Sequence, residues 1–217
     1  MTAEGLHHLV ATAFYARLRM TMNLLPLLTH DNGSFARIVT VGGGSKEGPI
    51  DTSDLPALRI PFAKLRGHLI SMMTLAFEKV ADDNPSVGVV HQYPGAVKTK
   101  LHRRDNSIMS WVVWVMLGIV GLLGWTVSLE ESGERMLYSA TSGRYPAAAE
   151  QNEGDDVARG TNGKTGSGMY SLNLDGESAG VQVEGLLEGM RGGGTKEKVW
   201  EHLMREFERI ENEKTRN

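Results

Sequence analysis

The chain has 217 residues, of which 41% are hydrophobic, and its 23 basic and 26 acidic side chains give a net charge of −3. This length suits one domain, and the apolar content is sufficient for a buried core. Balanced charge without a dense basic stripe predicts that the protein does not bind nucleic acid. The lack of cysteine excludes disulfides, thiolate nucleophiles and cysteine-ligated metals. The adjacent histidines His7 and His8 would point about 100° apart on a helix, so no metal site is predicted.

The first half of the chain alternates helical and strand patterns. Apolar residues recur at helical spacing over residues 6–28, and a β-branched run at 35–41 ends in three glycines, Gly42–Gly44. A second helical pattern covers residues 61–81, and another apolar run, 87–92, begins the next strand. This order, with nearly continuous apolar strands, predicts a parallel sheet covered by helices.

Residues 106–129 contain no charged residue and no histidine. This stretch is long enough to span a bilayer, and Arg103–Arg104 and Glu130–Glu131 frame it. We therefore predict an apolar, membrane-associated helix at 107–127; the alternative is a buried or partner-facing helix of a soluble domain. Since the N-terminus lacks a basic region before an apolar run, we expect an intracellular protein, membrane-associated through this helix.

The remaining elements are a capped helix, a loop, a strand and an amphipathic helix. Ser128 and Glu131 have the spacing of a capping box, which predicts that a helix begins there. Residues 142–168 are rich in Gly, Asp, Asn and Thr, which is typical of a flexible surface loop. A last strand is predicted at 169–174, and an amphipathic helix at 195–213.

Several segments in this order resemble the second half of the short-chain dehydrogenase/reductase fold. "FARIVTVGGG", a helix, and a strand ending in "YPGAVKT" are similar to the family's fifth strand, its active-site helix and its sixth strand with Pro-Gly-x-Val-x-Thr. Further segments resemble a fungal branch of the family: "AEGLHHLVATAFYARLRMTMNLLPLL", "ESGERMLYSATSGRYP" and "KVWEHLMREFERI". The resemblance covers most of the chain.

The resemblance implies an α/β fold that corresponds to the C-terminal half of a Rossmann-like, doubly wound parallel sheet with flanking helices. It also implies that residues 1–217 form a single, partial short-chain dehydrogenase-like domain. The similarity begins beyond the glycine-rich turn on which the family holds its cofactor, so the sequence resembles an N-terminally truncated member that lacks this turn. A half-sheet exposes an edge and an apolar face, and we expect a partner to cover them.

The strand-end motif implies a nicotinamide cofactor, NADP or NAD. In the family, the backbone of this loop holds the nicotinamide carboxamide and its threonine contacts the cofactor. The matching residues here are Pro94, Gly95, Val97 and Thr99. We therefore assign these four residues to cofactor binding, at one wall of the site.

The family's catalytic residues are not found at the matching positions. Phe62 occupies the position of the proton-donating tyrosine, and Arg66 that of the lysine four residues later. Gly42 or Gly43 replaces the family's serine, and Ser45 is a weak candidate to substitute for it. The alternative interpretation is plain packing, with Phe62 in the core and Arg66 on the surface or paired to an acid.

Three functions follow as hypotheses. The first, implied by the resemblance, is an NAD(P)-dependent oxidoreductase of an apolar ketone or alcohol in fungal secondary metabolism. The second is a catalytically inactive, truncated paralogue, which the missing tyrosine, lysine and serine favour. The third is a membrane-associated interaction protein that uses the second half of the fold.

Overall fold

The computed structural model describes residues 1–30, 35–97, 126–150 and 156–216. The described strands are β1 (Arg37–Val41), β2 (Gly88–Gln92), β3 (Ala96–Val97), β4 (Thr126–Val127) and β5 (Met169–Leu172). Three of them form a parallel sheet in the order β1-β2-β5, and the two short strands β3 and β4 form a second parallel pair.

Helices pack on both faces of the sheet. A helical stretch begins with α1 (His8–Val10), continues through a π-helical turn (Ala11–Tyr15) and ends with α2 (Ala16–Leu28). The other helices are α3 (Phe62–Asp83), α4 (Leu129–Thr141), α5 (Val181–Gly192) and α6 (Thr195–Arg216). The α/β fold class predicted from the sequence is confirmed, because the parallel strands form open sheets that are flanked by helices.

Local sequence signals explain where the helices begin and end. Pro61 immediately precedes α3, where its fixed φ and missing N–H are tolerated, and the helix ends before Asn84. The hydroxyl of Ser128 accepts a hydrogen bond from the backbone N–H of Glu131 at 3.0 Å, so the predicted cap of α4 is confirmed. The strand predicted at 169–174 is shorter and ends at Leu172.

The core has one cluster on each face of the sheet. The larger cluster joins the N-terminal helical stretch, α3 and α6, and includes Phe14, Phe77 and Leu203. The smaller cluster packs Tyr145 and Tyr170 against the other face. All five residues of β2 are buried, which is why its sequence is a nearly continuous apolar run.

The stretch predicted as a surface loop is partly buried. Of residues 142–168, those that are described carry no helix and only an isolated antiparallel bridge, between Arg159 and Thr165. However, Tyr145 is fully buried and donates a hydrogen bond from its hydroxyl to the carbonyl of Gly176 at 2.8 Å. This part of the stretch therefore packs against the sheet instead of lying on the surface.

Strand β1 lies at an open edge of the sheet. The carbonyl of Ala36 and the N–H of Gly42 both bond to β2. The backbone N–H and C=O groups of the even-numbered residues between them therefore point towards β2, and those of Arg37 and Val39 point away from the sheet. A cleft of 680 Å³ lies between this edge and α2, and its wall includes the exposed apolar residues Met20, Leu24 and Leu27. The need for a partner that covers this surface stays a prediction.

The predicted apolar helix at 107–127 lies outside the described residues except at its end. There, Thr126 and Val127 form strand β4, so a helix over this stretch does not include its last two residues. Among the residues that the structure describes, no helix combines the length and apolar character that crossing a bilayer requires.

Candidate functional site

A cavity lies where β1 and β2 end. Its volume is 240 Å³, and it is bounded by α2, α3 and the turn after β1. The lining residues that carry charge or a ring nitrogen are Arg17, Arg66 and His91; the others are glycine or apolar: Ala13, Gly42, Gly43, Leu69, Ile70 and Met73. The cavity thus combines apolar walls with two guanidinium groups, at the sheet edge where ligands bind in open α/β folds.

The glycines after β1 allow the turn to cross the sheet very closely. A Cβ on Gly42 would lie 2.9 Å from Nε2 of His91, and one on Gly43 would lie 2.2 Å from Cδ1 of Ile70. A Cβ on Gly44 would lie 2.0 Å from the carbonyl oxygen of His91. Gly44 therefore requires glycine, because its clash is with the backbone, whereas a serine at Gly42 or Gly43 would displace the side chain that now occupies the space.

His91 is the centre of a buried hydrogen-bond chain. The N–H of Gly43 donates to Nε2 of His91 at 3.1 Å, so the ring proton lies on Nδ1, which is 2.9 Å from Oγ1 of Thr74. Burial and the nearby charge of Arg17 lower the pKa of His91 to about 3. The ring is therefore neutral at physiological pH and does not act as a proton donor to a ligand.

The chain continues from His91 to a carboxyl group. Thr74 donates from Oγ1 to Oε1 of Glu47 at 2.8 Å, and Ser171 donates from Oγ to the same oxygen at 2.6 Å. Burial raises the pKa of Glu47, and the two hydroxyl donors oppose that shift in part. The network ties the turn after β1 to α3 and to the other two strands of the sheet.

Ser45, the weak candidate for the missing serine, lies beside this network and not on the cavity. Its φ of 63° is in the left-handed region, and its N–H donates to Oγ of Ser171 at 2.8 Å. Its hydroxyl is buried and has no hydrogen-bond partner among the described residues. Ser45 lines a separate polar cleft together with Lys46 and Asn173.

The two residues at the family's tyrosine and lysine positions lie on α3, as the sequence predicted, but differ in placement. Phe62 is the first residue of the helix and is 82% exposed, so the alternative that places it in the core is wrong. Arg66, one turn later, lines the cavity, and its guanidinium carbon lies 5.4 Å from the ring centroid of Tyr93. Arg66 has no ion-pair partner within the described part of the chain.

The predicted cofactor loop follows β2. Gly95 has a φ of +83°, and a Cβ there would lie 2.8 Å from Cγ2 of Val127. Val97 pairs with Val127 in the β3–β4 sheet, and Pro94, Gly95 and Val97 are all partly buried. Thr99 lies outside the described residues.

Sequence reasoning missed the residues that dominate the polar side of the site. His91 is a polar residue within the buried run "SVGVVHQ", and Arg17 interrupts the apolar pattern of the first helix; each could have been noticed. Thr74 and Glu47 carry no local signal, because their importance comes only from the strand and helix that bring them together.

Curated proteins that are similar to this chain are fungal oxidoreductases. The chain is 34% identical over 221 residues to the oxidoreductase andH of Emericella variicolor, a match that covers 96% of this chain. It is 33% identical over 204 residues to the NmrA-like family domain-containing oxidoreductase notO of an Aspergillus species, which covers 92% of the chain. It is 30% identical over 225 residues to a short-chain dehydrogenase/reductase of Stachybotrys chartarum, again over 96% of the chain.

The chain belongs to the fungal short-chain dehydrogenase/reductase-like proteins. It spans 63%, 56% and 60% of the lengths of these three relatives. No family model matches the sequence. The parallel strands, the cavity at their carboxyl ends and the Pro-Gly turn after β2 are the features of this short-chain dehydrogenase-like chain that position a site.

Proposed function

We propose that the protein is an oxidoreductase that interconverts an apolar ketone and its alcohol with NAD or NADP, in the secondary metabolism of a fungus. The observation that carries the proposal is that two of the three positions which hold catalytic residues in the family, those of the serine and the lysine, line one cavity. Gly42 and Gly43, at the serine position, and Arg66, at the lysine position, line the same 240 Å³ space. The metabolic context rests on the resemblance of the sequence alone.

The described residues fit one end of such a cofactor. The backbone of the Pro94–Val97 loop would hold a carboxamide, and the absence of a Cβ at Gly95 lets Val127 pack against this loop and fix its course. Within residues 1–30, 35–97, 126–150 and 156–216, no glycine-rich turn leads from a strand directly into a helix, the arrangement that holds a pyrophosphate. When bound, the nicotinamide would supply or accept the hydride.

The cavity's own residues can orient a carbonyl group and stabilise negative charge. The guanidinium of Arg66 presents N–H donors that would stabilise an oxygen as charge develops on it. Arginine does not release a proton at neutral pH, the Nδ1 proton of His91 is held by Thr74, and Phe62 has no proton to give. We therefore assign the proton to solvent at the mouth of the cavity.

A second candidate function is ligand binding without turnover. Two observations favour it: Phe62 stands exposed where the family has its proton donor, and Ile70 fills the space that a side chain at Gly43 would need. A positioned general acid typically accelerates such reactions by about 10²–10⁴-fold. Without a positioned general acid, the oxidoreductase would be slow. The same lack would explain a silent paralogue, which binds its ligand without turnover.

The test is cofactor oxidation with a panel of ketones that have apolar chains, with and without a carboxylate next to the carbonyl group, using NADPH and NADH in turn. The proposed oxidoreductase turns over slowly, and Arg66→Gln lowers its rate by about tenfold, the effect of one charge-assisted hydrogen bond. Arg59→Gln is the matched control, because Arg59 is exposed on the loop before α3 and does not line the cavity. No turnover by the unmodified chain, with activity gained by Phe62→Tyr plus Arg66→Lys, would establish the silent paralogue instead. Silence from both proteins contradicts the oxidoreductase proposal for this chain.

A further inference from the structure

Two cationic side chains line the cavity, and no carboxylate of the described residues pairs with them. Arg17 reaches it from α2 and Arg66 from α3, and neither forms an ion pair within the described part of the chain. The carboxyl group of Glu47 is separated from the cavity by Thr74 and His91, and its Oε1 is occupied by two hydroxyl donors. Both guanidinium groups keep contact with solvent, since Arg66 is exposed and Arg17 half-buried, so their N–H donors are available to an anionic ligand that enters the cavity.

Arg17 is fixed in place by the sheet. Its Nη1 donates to Oγ1 of Thr40 at 3.1 Å and also to the carbonyl of Val41, the last residue of β1. Nη1 is 3.7 Å from the point where a Cβ on Gly42 would lie, so the guanidinium stands beside the turn that closes the cavity. Its other two nitrogens have no hydrogen-bond partner among the described residues.

Arg66 reaches the cavity from α3 and lies over an aromatic ring. Its guanidinium carbon lies 5.4 Å from the ring centroid of Tyr93, and Nζ of Lys46 lies 5.2 Å from the same centroid. Contacts of this kind restrict the position of an arginine while leaving its N–H donors available. The lining of the cavity therefore combines guanidinium groups from two helices with apolar side chains, notably Leu69, Ile70 and Met73.

We propose that the ligand of this cavity carries a carboxylate: a small 2-oxo or 2-hydroxy acid with a short, branched apolar chain. In such a compound the carbonyl or hydroxyl group is adjacent to the carboxylate, and both arginines line the same small cavity, so the two groups would meet guanidinium donors there. The volume of 240 Å³ is below the usual range of about 300–1,000 Å³ for drug-sized ligands, which favours a small one. This inference rests on the proposed use of the cavity as the substrate site, and it narrows the substrate from a ketone or alcohol with an apolar chain to one whose apolar chain also carries a carboxylate.

The test is equilibrium binding without cofactor, so its outcome is independent of turnover. Isothermal titration calorimetry would compare 4-methyl-2-oxopentanoate with its uncharged methyl ester. We expect the anion to bind at least about tenfold more tightly, and we expect raised ionic strength to weaken the anion but not the ester. Equal binding of the two, or no binding of the anion, overturns the inference.

Variants locate the anion. Arg66→Gln should weaken binding of 4-methyl-2-oxopentanoate by about tenfold, Arg66→Lys should restore most of it, and Arg59→Gln should leave it unchanged. Arg17→Gln should weaken binding of the anion similarly. Because Arg17 also bonds to β1, the thermal unfolding of this variant is measured in parallel. Arg66 is exposed, so Arg66→Gln is the variant that retains the fold. Binding that is insensitive to Arg66→Gln contradicts the proposal. Anion binding without any redox activity would leave this inference standing and refute only the oxidoreductase.

Discussion

Removing the hydroxyl of Thr74 should cost far more stability than removing its methyl group. Thr74 is fully buried, and its Oγ1 accepts from Nδ1 of His91 at 2.9 Å and donates to Oε1 of Glu47 at 2.8 Å. Thr74→Val preserves the shape of the side chain but leaves the Nδ1 proton of His91 without an acceptor. Glu47 would keep only the hydroxyl of Ser171 as a donor to Oε1.

The magnitude follows from these two losses. A buried donor left unsatisfied costs about 1–3 kcal/mol, and a lost hydrogen bond to a carboxyl group adds about 1–2 kcal/mol, so we expect about 3 kcal/mol in total. A change of tautomer does not help His91, because a proton on Nε2 would face the N–H of Gly43. Thr74→Ser keeps the hydroxyl and removes one methyl group, which should cost only about 1 kcal/mol.

Urea unfolding followed by circular dichroism measures both variants against the parent. The free energy of unfolding should fall by about 3 kcal/mol for Thr74→Val and by about 1 kcal/mol for Thr74→Ser, with equal m values, since the surface exposed on unfolding is unchanged. If the valine variant unfolds at the same urea concentration as the serine variant, the hydroxyl contributes nothing and the network argument is wrong.

Three further predictions concern packing, pH and exposure. Gly43→Ala should destabilise the protein by about 1–3 kcal/mol, because its Cβ would collide with Ile70. Gly133→Ala, in an open position on α4, should stabilise the protein by about 0.5–1 kcal/mol. Urea unfolding that ranks the two variants the other way contradicts this prediction. The folded pKa of His91, about 3, is below its ordinary value of 6.5, so the protein loses stability as pH falls from 6.5 towards 3. The slope from this group is at most about 1.4 kcal/mol per pH unit, and His91→Gln should reduce the measured slope. Phe62→Ala should change the unfolding free energy by less than about 0.5 kcal/mol, because the ring is exposed; a loss of several kcal/mol would restore the core interpretation.

The sequence by itself determined the elements whose signals are local. The apolar runs that became β1 and β2, the Ser128 cap and the helix after Pro61 all depend on neighbours within a few residues, so each was confirmed where the pattern placed it. The parallel sheet also followed, because strands buried on both faces read as continuous apolar runs. Strand boundaries were less exact: β5 ends at Leu172, after which the chain turns back and Leu172 forms an isolated bridge with Ser178.

The composition of the loop at 142–168 gave an incomplete answer. Its polar residues and glycines indicated a surface loop, and its described residues carry no helix or strand, but Tyr145 within it is fully buried. Burial of one aromatic residue depends on whether the opposite surface offers a matching space, here beside Tyr170, and that surface is formed by a distant part of the chain. The sequence pattern around Tyr145 therefore does not predict its burial.

Only the tertiary structure decided the chemistry of the site. His91, Thr74 and Glu47 come from a strand, a helix and a turn, and they form one hydrogen-bond chain because the parallel strands end at the same edge and α3 packs over them. Arg17 faces the cavity because the last residue of β1 and Thr40 hold its guanidinium, a contact that no spacing in the sequence specifies. Residue types could be read in advance, but which of them meet is set by the non-local packing of helices on the sheet.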